Sequence, residues 1–230
     1  MAMNLSGKVF IVTGAFGALG QAVTACMLAH GAKLALVGKR LDPRMECPAG
    51  ALLYAGVDLL QKDAAAEVVE RVFKDTGRID GLVNLAGGFH FDKLEGGALE
   101  SWEDMFRVNL LTAVVSCAAV LPYLLRRGSG NIVNIGAMGA IRATSGMGAY
   151  AASKAGVVKL TEALADEVKD RGITVNAVLP SVLDTPANRA DMPAADFTRW
   201  VSPSAVAEVI VFLVSDLAIS GATLPVAGRV

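Results

Sequence analysis

Short, continuously apolar segments alternate with longer helical segments along most of this 230-residue chain. Strands that are apolar at every position must be covered on both faces, which is typical of a parallel sheet between two layers of helices. The predicted strands are 8–12, 33–37, 52–57, 81–84, 131–135, 173–179 and 222–226. The predicted helices are 18–30, 63–76, 101–126, 148–170 and one that opens at Ser202-Pro203.

This order of elements predicts an α/β fold: a single doubly wound, Rossmann-type domain over residues 1–230, with a parallel sheet of about seven strands and helices on both faces. Composition agrees, because 53% hydrophobic residues and a mean hydropathy of +0.49 exclude a disordered chain. In such a fold, ligands bind beyond the carboxyl ends of the strands.

The charge balance and the cysteines exclude several classes of protein. Twenty-one basic against 22 acidic residues leave no basic surface for nucleic acid. Three cysteines and two histidines show no ligand spacing, so no disulfide framework, zinc site or other metal site is expected. The uncharged run between Arg107 and Arg126 contains polar residues and is predicted to be a buried helix, not a membrane span. Together with the lack of a signal-peptide pattern, these features predict a cytoplasmic protein with no membrane partner.

A glycine-rich turn follows the first predicted strand and leads directly into a helix. Residues 13–20 read Thr-Gly-Ala-Phe-Gly-Ala-Leu-Gly. Glycines let the backbone approach a pyrophosphate closely, and the N–H groups at a helix N-terminus bind that anion. A simple tight turn is the alternative, but the position between strand and helix favours a dinucleotide site.

This loop resembles the TGxxxGxG motif of the short-chain dehydrogenase/reductase family, with Ala18 in place of the middle glycine. An alanine is tolerated there only if the residue adopts a right-handed helical conformation. Asn84-Leu85-Ala86-Gly87 is similar to the family's NNAG turn. The resemblance implies that the dinucleotide is bound by Gly14, Phe16, Gly17, Ala18, Leu19, Gly20, Asp58, Leu59, Ala86, Gly87, Pro180 and Thr185.

The end of the second strand indicates which dinucleotide is bound. An acidic residue there accepts a hydrogen bond from the ribose 2′-hydroxyl of NAD and repels a 2′-phosphate. This chain has Gly38-Lys39-Arg40 instead, which favours NADP(H) over NAD(H); a solvated basic turn is the alternative. An aspartate at position 38 is therefore expected to shift preference toward NADH.

Tyr150 and Lys154 form the YxxxK motif of the same family at the start of a predicted helix. Residues four apart share one helix face, so the ammonium group lies beside the phenol and is expected to lower its pKa. Tyr150 is then the general acid/base. By resemblance, Tyr150 and Lys154 also contact the nicotinamide ribose, and Asn109 supports a proton-relay water.

The family also places a serine 13 residues before the tyrosine, where it polarises the substrate carbonyl, and this chain has Ala137 there. Losing one such donor typically costs about 2.7–4 kcal/mol of transition-state stabilisation. Three explanations remain open. The substrate needs little polarisation, Thr144 or Ser145 supplies the hydroxyl, or the site is catalytically silent and the chain is an NADP(H)-binding sensor module.

The residues after the sixth strand bear on the first explanation. Residues 183–200 resemble quinonoid dihydropteridine reductase, which belongs to the same superfamily and also has alanine at the serine position. The resemblance implies an acceptor that is already strongly electrophilic. An ordinary carbonyl reductase or alcohol dehydrogenase is the alternative.

Residues 181–201, here called the substrate loop, are predicted to cover a small-molecule substrate. Besides Ala137 and Ser145, the candidate substrate contacts are His90, Met192, Phe197 and Trp200. Packing of the apolar side chains against the sheet is the competing interpretation. Family members usually pair the helices that begin near 101 and 148 between subunits, so a homo-dimer or homo-tetramer is expected.

Overall fold

The computed structural model describes residues 3–41, 47–215 and 218–229. Seven parallel strands form one sheet in the order β3-β2-β1-β4-β5-β6-β7. They are β1 Val9–Thr13, β2 Lys33–Gly38, β3 Ala51–Ala55, β4 Gly81–Asn84, β5 Gly130–Ile135, β6 Ile173–Pro180 and β7 Thr223–Val226. The doubly wound α/β prediction is confirmed, and the order reverses between β1 and β4, where such folds bind ligands.

Helices cover both faces of the sheet, as continuously buried strands require. They are α1 Ala18–Ala29, α2 Lys62–Thr76, α3 Leu99–Met105, α4 Thr112–Arg127, α5 Gly148–Val168, α6 Pro186–Asp191 and α7 Pro203–Ser215. One core lies beneath α2, α4 and α5, and the other beneath α1 and α7. Predicted and observed boundaries differ by a few residues at most for the long elements, and α6 was not predicted.

The predicted helix 101–126 differs from the structure in two ways. It begins at Leu99 instead of residue 101, and the Ser101 hydroxyl, within its first turn, donates to Asp92 Oδ2 at 2.6 Å. Its middle, Phe106–Leu111, is a π-helical turn between α3 and α4. A π-helical turn contains one extra residue, which rotates the apolar face of the helix. Because that face stays apolar on both sides of the turn, hydrophobic periodicity in the sequence does not reveal it.

The continuous helical segment from Leu99 to Arg127, here called the rod, is long and apolar enough to cross a membrane by length and composition alone. A core helix of a globular domain passes the same test. In this fold Cys117, Val120 and Leu124 of the rod are buried in the core that also contains strand residues of β1, β4 and β5. The rod is therefore part of the helical layer that covers the sheet.

Candidate functional site

The loop between β1 and α1 has the shape of an anion-binding turn. Gly14 has φ of +63°, and a Cβ atom there would lie 2.7 Å from the backbone nitrogen of Ala86. A Cβ atom at Gly20 would overlap the Gly14 carbonyl oxygen. Both positions therefore require glycine, the first for its backbone conformation and the second for the close packing of α1 against the loop.

Ala18 is the first residue of α1 and no residue other than glycine has positive φ in the described part of the chain. The alanine is thus right-handed helical, and the family's middle glycine is not needed. Gly17 is the N-cap, and no side chain caps α1 or places a carboxylate in its first turn. The backbone N–H groups at this helix end remain available to a pyrophosphate, so the loop fits a dinucleotide.

Thr13 holds the glycine loop against the next strand. Its hydroxyl oxygen accepts hydrogen bonds from the backbone N–H groups of Leu85 at 3.2 Å and Ala86 at 3.3 Å, and it donates to Asn84 Oδ1 at 3.3 Å. Asn84 in turn donates to Asn134 Oδ1 at 2.9 Å. Buried polar groups that satisfy one another in this way fix the relative positions of β1, β4 and β5.

The adenosine end of the site is rich in charge. Lys39 Nζ lies 2.8 Å from Asp58 Oδ2, and the backbone N–H of Leu60 donates to Asp58 Oδ1 at 3.1 Å. These bonds, together with the positive charge of Arg107, lower the pKa of Asp58. Lys39 is thus held by Asp58, whereas Arg40 is exposed beside it. Neighbouring Leu59 is buried in the core.

Tyr150 and Lys154 lie on one face of α5, as their spacing predicts. Lys154 is buried, its Nζ donates to the carbonyl oxygen of Ile135 at 2.8 Å, and burial lowers its pKa to about 8. Burial also raises the pKa of Tyr150 to about 12. The predicted fall in the phenol pKa is therefore wrong for this structure, because desolvation outweighs the attraction of an ammonium group that bonds a carbonyl instead. A phenol with a raised pKa stays protonated and can donate its proton.

Asn109 lies in the π-helical turn and its side chain is fully used within the protein. Oδ1 accepts the backbone N–H of Gly88 at 3.0 Å, while Nδ2 donates at 3.0 Å both to the Gly88 carbonyl and to Ser153 Oγ. Ser153 donates in turn to the Tyr150 carbonyl at 2.7 Å. Sequence reasoning assigned no role to Ser153, although its position between Tyr150 and Lys154 in the YxxxK motif was a signal. Asn109 and Ser153 together join the loop after β4 to α5.

No hydroxyl stands where the family serine would be. Ala137 is buried, with extended backbone, just before the short 3-10 turn Met138–Ala140. Thr144 and Ser145 are both exposed on the turn before α5, and the Thr144 hydroxyl lies 3.1 Å from Met147 Sδ. The hydroxyl of Thr144 is thus turned to a methionine sulfur.

The loop that contains His90, a predicted substrate contact, lies beside Tyr150 and carries two phenylalanines, Phe89 and Phe91, to which the sequence analysis assigned no role. The ring of Phe89 meets that of Tyr150 edge-on, with centroids 5.0 Å apart. His90 and Phe91 are exposed beside it. The Phe91 ring occupies the space above Gly146, and the Asp92 N–H donates to the Gly146 carbonyl at 2.9 Å. The loop therefore forms an apolar wall next to the phenol, and a pair of phenylalanines two residues apart was its signal.

The substrate loop folds on itself above the carboxyl end of β6, which ends at Pro180. Thr185 is buried and caps α6 by accepting the N–H of Asn188 at 3.2 Å. Phe197 packs against Trp200 at 4.8 Å between centroids, and the Arg189 guanidinium lies 4.8 Å from the Phe197 ring.

Both ends of this loop are tied together. Leu183 and Val201 form a parallel bridge, so the segment between them is closed at its base. Met192, by contrast, is exposed. In the described ranges, no three His, Cys, Asp or Glu side chains are grouped so that they could hold a metal ion.

Comparison with known proteins places this geometry in context. Residues 8–195 match the family model described as short chain dehydrogenase. A 3-oxoacyl-[acyl-carrier-protein] reductase of Thermotoga maritima is 35% identical over 93% of this chain and 93% of its own. The D-threitol dehydrogenase of Mycolicibacterium smegmatis is 33% identical over 98% of this chain and 93% of its own.

Solved structures show the same fold. ElxO with NADP bound superimposes with a TM-score of 0.90 at 23% identity, covering 96% of this chain and 97% of that one. A short-chain type dehydrogenase/reductase from Mycobacterium ulcerans gives a TM-score of 0.89 at 23% identity, covering 98% and 90%. None of these four proteins is described as a dihydropteridine reductase, so they lend no support to that closer resemblance.

Proposed function

Because this chain belongs to the short-chain dehydrogenase/reductase family and is an oxidoreductase of that type, we propose that it is an NADP(H)-dependent reductase of an acceptor that is already electrophilic. Ala137 is the observation that carries the proposal. An enzyme without the polarising hydroxyl forgoes about 2.7–4 kcal/mol on a simple ketone, and an electron-poor C=N or C=O acceptor does not need that help. A dihydropteridine-reductase-like reaction is one member of this class.

Bound NADPH supplies the hydride, and the chain's own residues supply the proton and the geometry. The Tyr150 phenol, kept protonated by burial, donates its proton to the heteroatom of the acceptor as the neighbouring carbon is reduced. Lys154 uses one of its three donors on the Ile135 carbonyl, which leaves two for the ribose hydroxyls and its positive charge near the phenolate that results. Asn109 and Ser153 keep the catalytic helix in register with the β4 loop.

The preference for NADP(H) is part of the proposal. It is supported by the absence of a carboxylate at position 38 and by two cations, Lys39 and Arg40, at the adenosine end. ElxO, which shares the fold, has been solved with NADP bound. Pro180 and Thr185 are proposed contacts of the nicotinamide end; Pro180 ends β6, and the buried Thr185 caps α6.

Reduction of ordinary ketones is the second candidate function. It is favoured by the relative from Thermotoga maritima, which is a 3-oxoacyl-[acyl-carrier-protein] reductase. For this chain it would require Ser145, or Thr144 after a change of rotamer, to supply the missing hydroxyl. Both side chains are exposed on the turn before α5.

Two substitutions separate the candidates. Tyr150→Phe should lower turnover of either substrate class by roughly 100-fold, the usual scale of a lost general acid. Ala137→Ser should leave reduction of a quinonoid dihydropterin nearly unchanged but raise reduction of a simple ketone about 10–100-fold, because it adds a donor where negative charge develops. Both are measured as NADPH oxidation.

The opposite pattern identifies the second candidate. If wild type reduces simple ketones rapidly and ignores the dihydropterin, and Ala137→Ser is neutral on ketones, the proposal is wrong. Removing the Ser145 or Thr144 hydroxyl should then abolish ketone reduction.

The chain is further proposed to act in the cytoplasm as a homo-oligomer. Its three cysteines, Cys26, Cys47 and Cys117, are all free thiols. A groove of about 590 Å³ lies between α3, the π-helical turn and α5, with Trp102 and Phe106 on one side and Ala149 and Ala152 on the other. Exposed apolar side chains along such a groove fit the pairing of these helices with a second copy.

A further inference from the structure

The ring of Phe16 fills the space beside Gly38. A Cβ atom built on Gly38 would lie 2.6 Å from Phe16 Cδ2 and 2.9 Å from Cε2. Contacts this short do not occur between carbon atoms, so the ring must move if residue 38 has any side chain. The backbone gives no other reason for glycine here, because Gly38 does not have positive φ and pairs regularly with Ala55 at the end of β2.

Phe16 is itself held in place. It is half-buried against the core beneath α1, and its carbonyl oxygen accepts a hydrogen bond from Gln21 Nε2 at 3.1 Å. The ring therefore sits where an acidic side chain at position 38 would have to project. A carboxylate cannot enter that position without expelling an aromatic ring from partly apolar surroundings.

The charges around this pair favour an anion. Lys39 and Arg107 both lower the pKa of Asp58, and Lys39 lies 2.8 Å from its carboxylate. Among the described residues at this place, the Asp58 carboxylate is thus countered by Lys39 and Arg107, and the exposed Arg40 adds a third positive charge. A carboxylate at position 38 would reduce this positive charge at the end of β2, where a 2′-phosphate is expected to bind.

We propose that Phe16 is a specificity-determining residue, whose ring excludes a side chain from position 38 and thereby fixes the dinucleotide site for the 2′-phosphate of NADP(H). The inference rests on the proposed function, because it concerns the dinucleotide that this function uses. It also adds a condition to the expectation that an aspartate at position 38 shifts preference toward NADH: on this proposal the shift requires that Phe16 be removed as well.

The test is a pair of double-mutant cycles that combine Phe16→Ser with Gly38→Ala and with Gly38→Asp. The alanine variant carries no charge and reports only the steric contact, through the Tm of the protein without dinucleotide. Gly38→Ala should lower Tm by several degrees when Phe16 is present and by much less in the Phe16→Ser background. Equal losses in both backgrounds would overturn the inference.

The aspartate cycle reports specificity through Kd values for NADPH and NADH, measured by calorimetry. Gly38→Asp should give no gain for NADH while Phe16 is present, and about tenfold or more tighter NADH binding once Phe16 is serine. A gain of the same size in both backgrounds would show that Phe16 plays no part.

Failure of the proposed function can be distinguished from failure of the role proposed for Phe16. If wild type binds neither dinucleotide, or binds NADH tenfold more tightly than NADPH, the cofactor proposal is wrong whatever the cycles show. If wild type prefers NADPH but the effects of the two positions simply add, only the role of Phe16 is rejected. If Gly38→Asp does not fold in the presence of Phe16, the alanine cycle still tests the steric contact. Specificity is then tested by comparing the Kd values for NADPH and NADH of the double variant Phe16→Ser/Gly38→Asp with those of Phe16→Ser.

Discussion

Burial disfavours the charged forms of both Tyr150 and Lys154. Because the phenol is charged when deprotonated and the amine is charged when protonated, burial moves their two pKa values apart. It raises the pKa of the phenol to about 12 and lowers that of the ammonium to about 8. The phenol is consequently protonated throughout the neutral range, while the lysine begins to lose its proton just above it. These protonation states fit the proposed role of Tyr150 as the proton donor, with the Lys154 ammonium close to the phenolate that would remain.

The lowered pKa of Lys154 makes stability depend on pH. Between the folded pKa of about 8 and the ordinary value of 10.5, the unfolded chain binds more protons than the folded one. The free energy of unfolding contributed by this group therefore rises as pH rises through that window. The opposing effect of Tyr150 begins only near 10, its ordinary value.

We expect the difference in unfolding free energy between wild type and Lys154→Met to change by more than 1 kcal/mol, in favour of wild type, from about pH 8 to about pH 10. Urea unfolding at several pH values measures it. Taking the difference between the two proteins cancels the other titrating groups, and a difference that does not vary with pH would contradict the assignment.

Gly14 gives a second prediction for a single residue, with a matched control in Gly77. Both have positive φ, +63° and +73°, but a Cβ atom at Gly77 meets nothing within 4 Å while one at Gly14 meets the backbone of Ala86. Gly77→Ala should cost about 1–2 kcal/mol of stability through its backbone conformation alone. Gly14→Ala should cost clearly more and should abolish dinucleotide binding.

Chemical denaturation and dinucleotide titration of the two variants measure these effects. Equal losses of stability would mean that the contact with Ala86 does not constrain the loop. Retained dinucleotide binding by Gly14→Ala would argue against the loop as the pyrophosphate site.

Among the elements, the rod of α3, the π-helical turn and α4 connects most directly to catalysis. The π-helical turn contains Asn109, and π-helical turns are frequent at functional sites because they change the direction of side chains within a helix. Asn109 meets Ser153 of α5 at 3.0 Å and Gly88 after β4. One amide side chain thus links three elements around the phenol.

Ser153→Ala should test this link. It leaves one buried N–H of Asn109 without its hydroxyl acceptor, which should lower the free energy of unfolding by about 1–3 kcal/mol. It should also lower kcat while changing KM little, because the helix that carries Tyr150 loses a hydrogen bond but the substrate loses no contact. Ser153→Thr should restore part of both, since it keeps the hydroxyl. The control Ser204→Ala, on the exposed start of α7, should change stability by less than about 0.5 kcal/mol. A kcat unchanged in Ser153→Ala would limit the serine to a purely structural role.

For the whole molecule, the groove between α3 and α5 predicts self-association. Ala152 is exposed within the groove, and Ala163 is exposed farther along the same helix, outside the residues that line it. Ala152→Glu should convert the oligomer to a monomer because it buries an unpaired charge at the interface, while Ala163→Glu should not.

Sedimentation at micromolar concentration distinguishes the two variants, and circular dichroism confirms that both are folded. A wild type that sediments only as a 23.8 kDa species would reject the oligomer. Equal dissociation by both glutamates would show that the interface extends along α5 beyond the groove.

Much of the fold and part of the site follow from the sequence because they depend on local patterns. Fully apolar strands such as Val9–Thr13 require two helical layers, and the glycines around Ala18 indicate a tight turn into a helix. Four-residue spacing places Tyr150 and Lys154 on one helix face whatever surrounds them. These features are encoded by neighbours in the chain.

Tertiary structure alone decided the contacts between residues that are distant in sequence. The pKa values of Tyr150 and Lys154 depend on burial, which no spacing reveals, and Lys39 meets Asp58 across two strand ends. Phe16 meets Gly38, and Phe89 meets Tyr150, only because the turns bring their loops together. Periodicity specifies which face a side chain occupies, but desolvation and steric contact are set by whatever the folded chain places against that face.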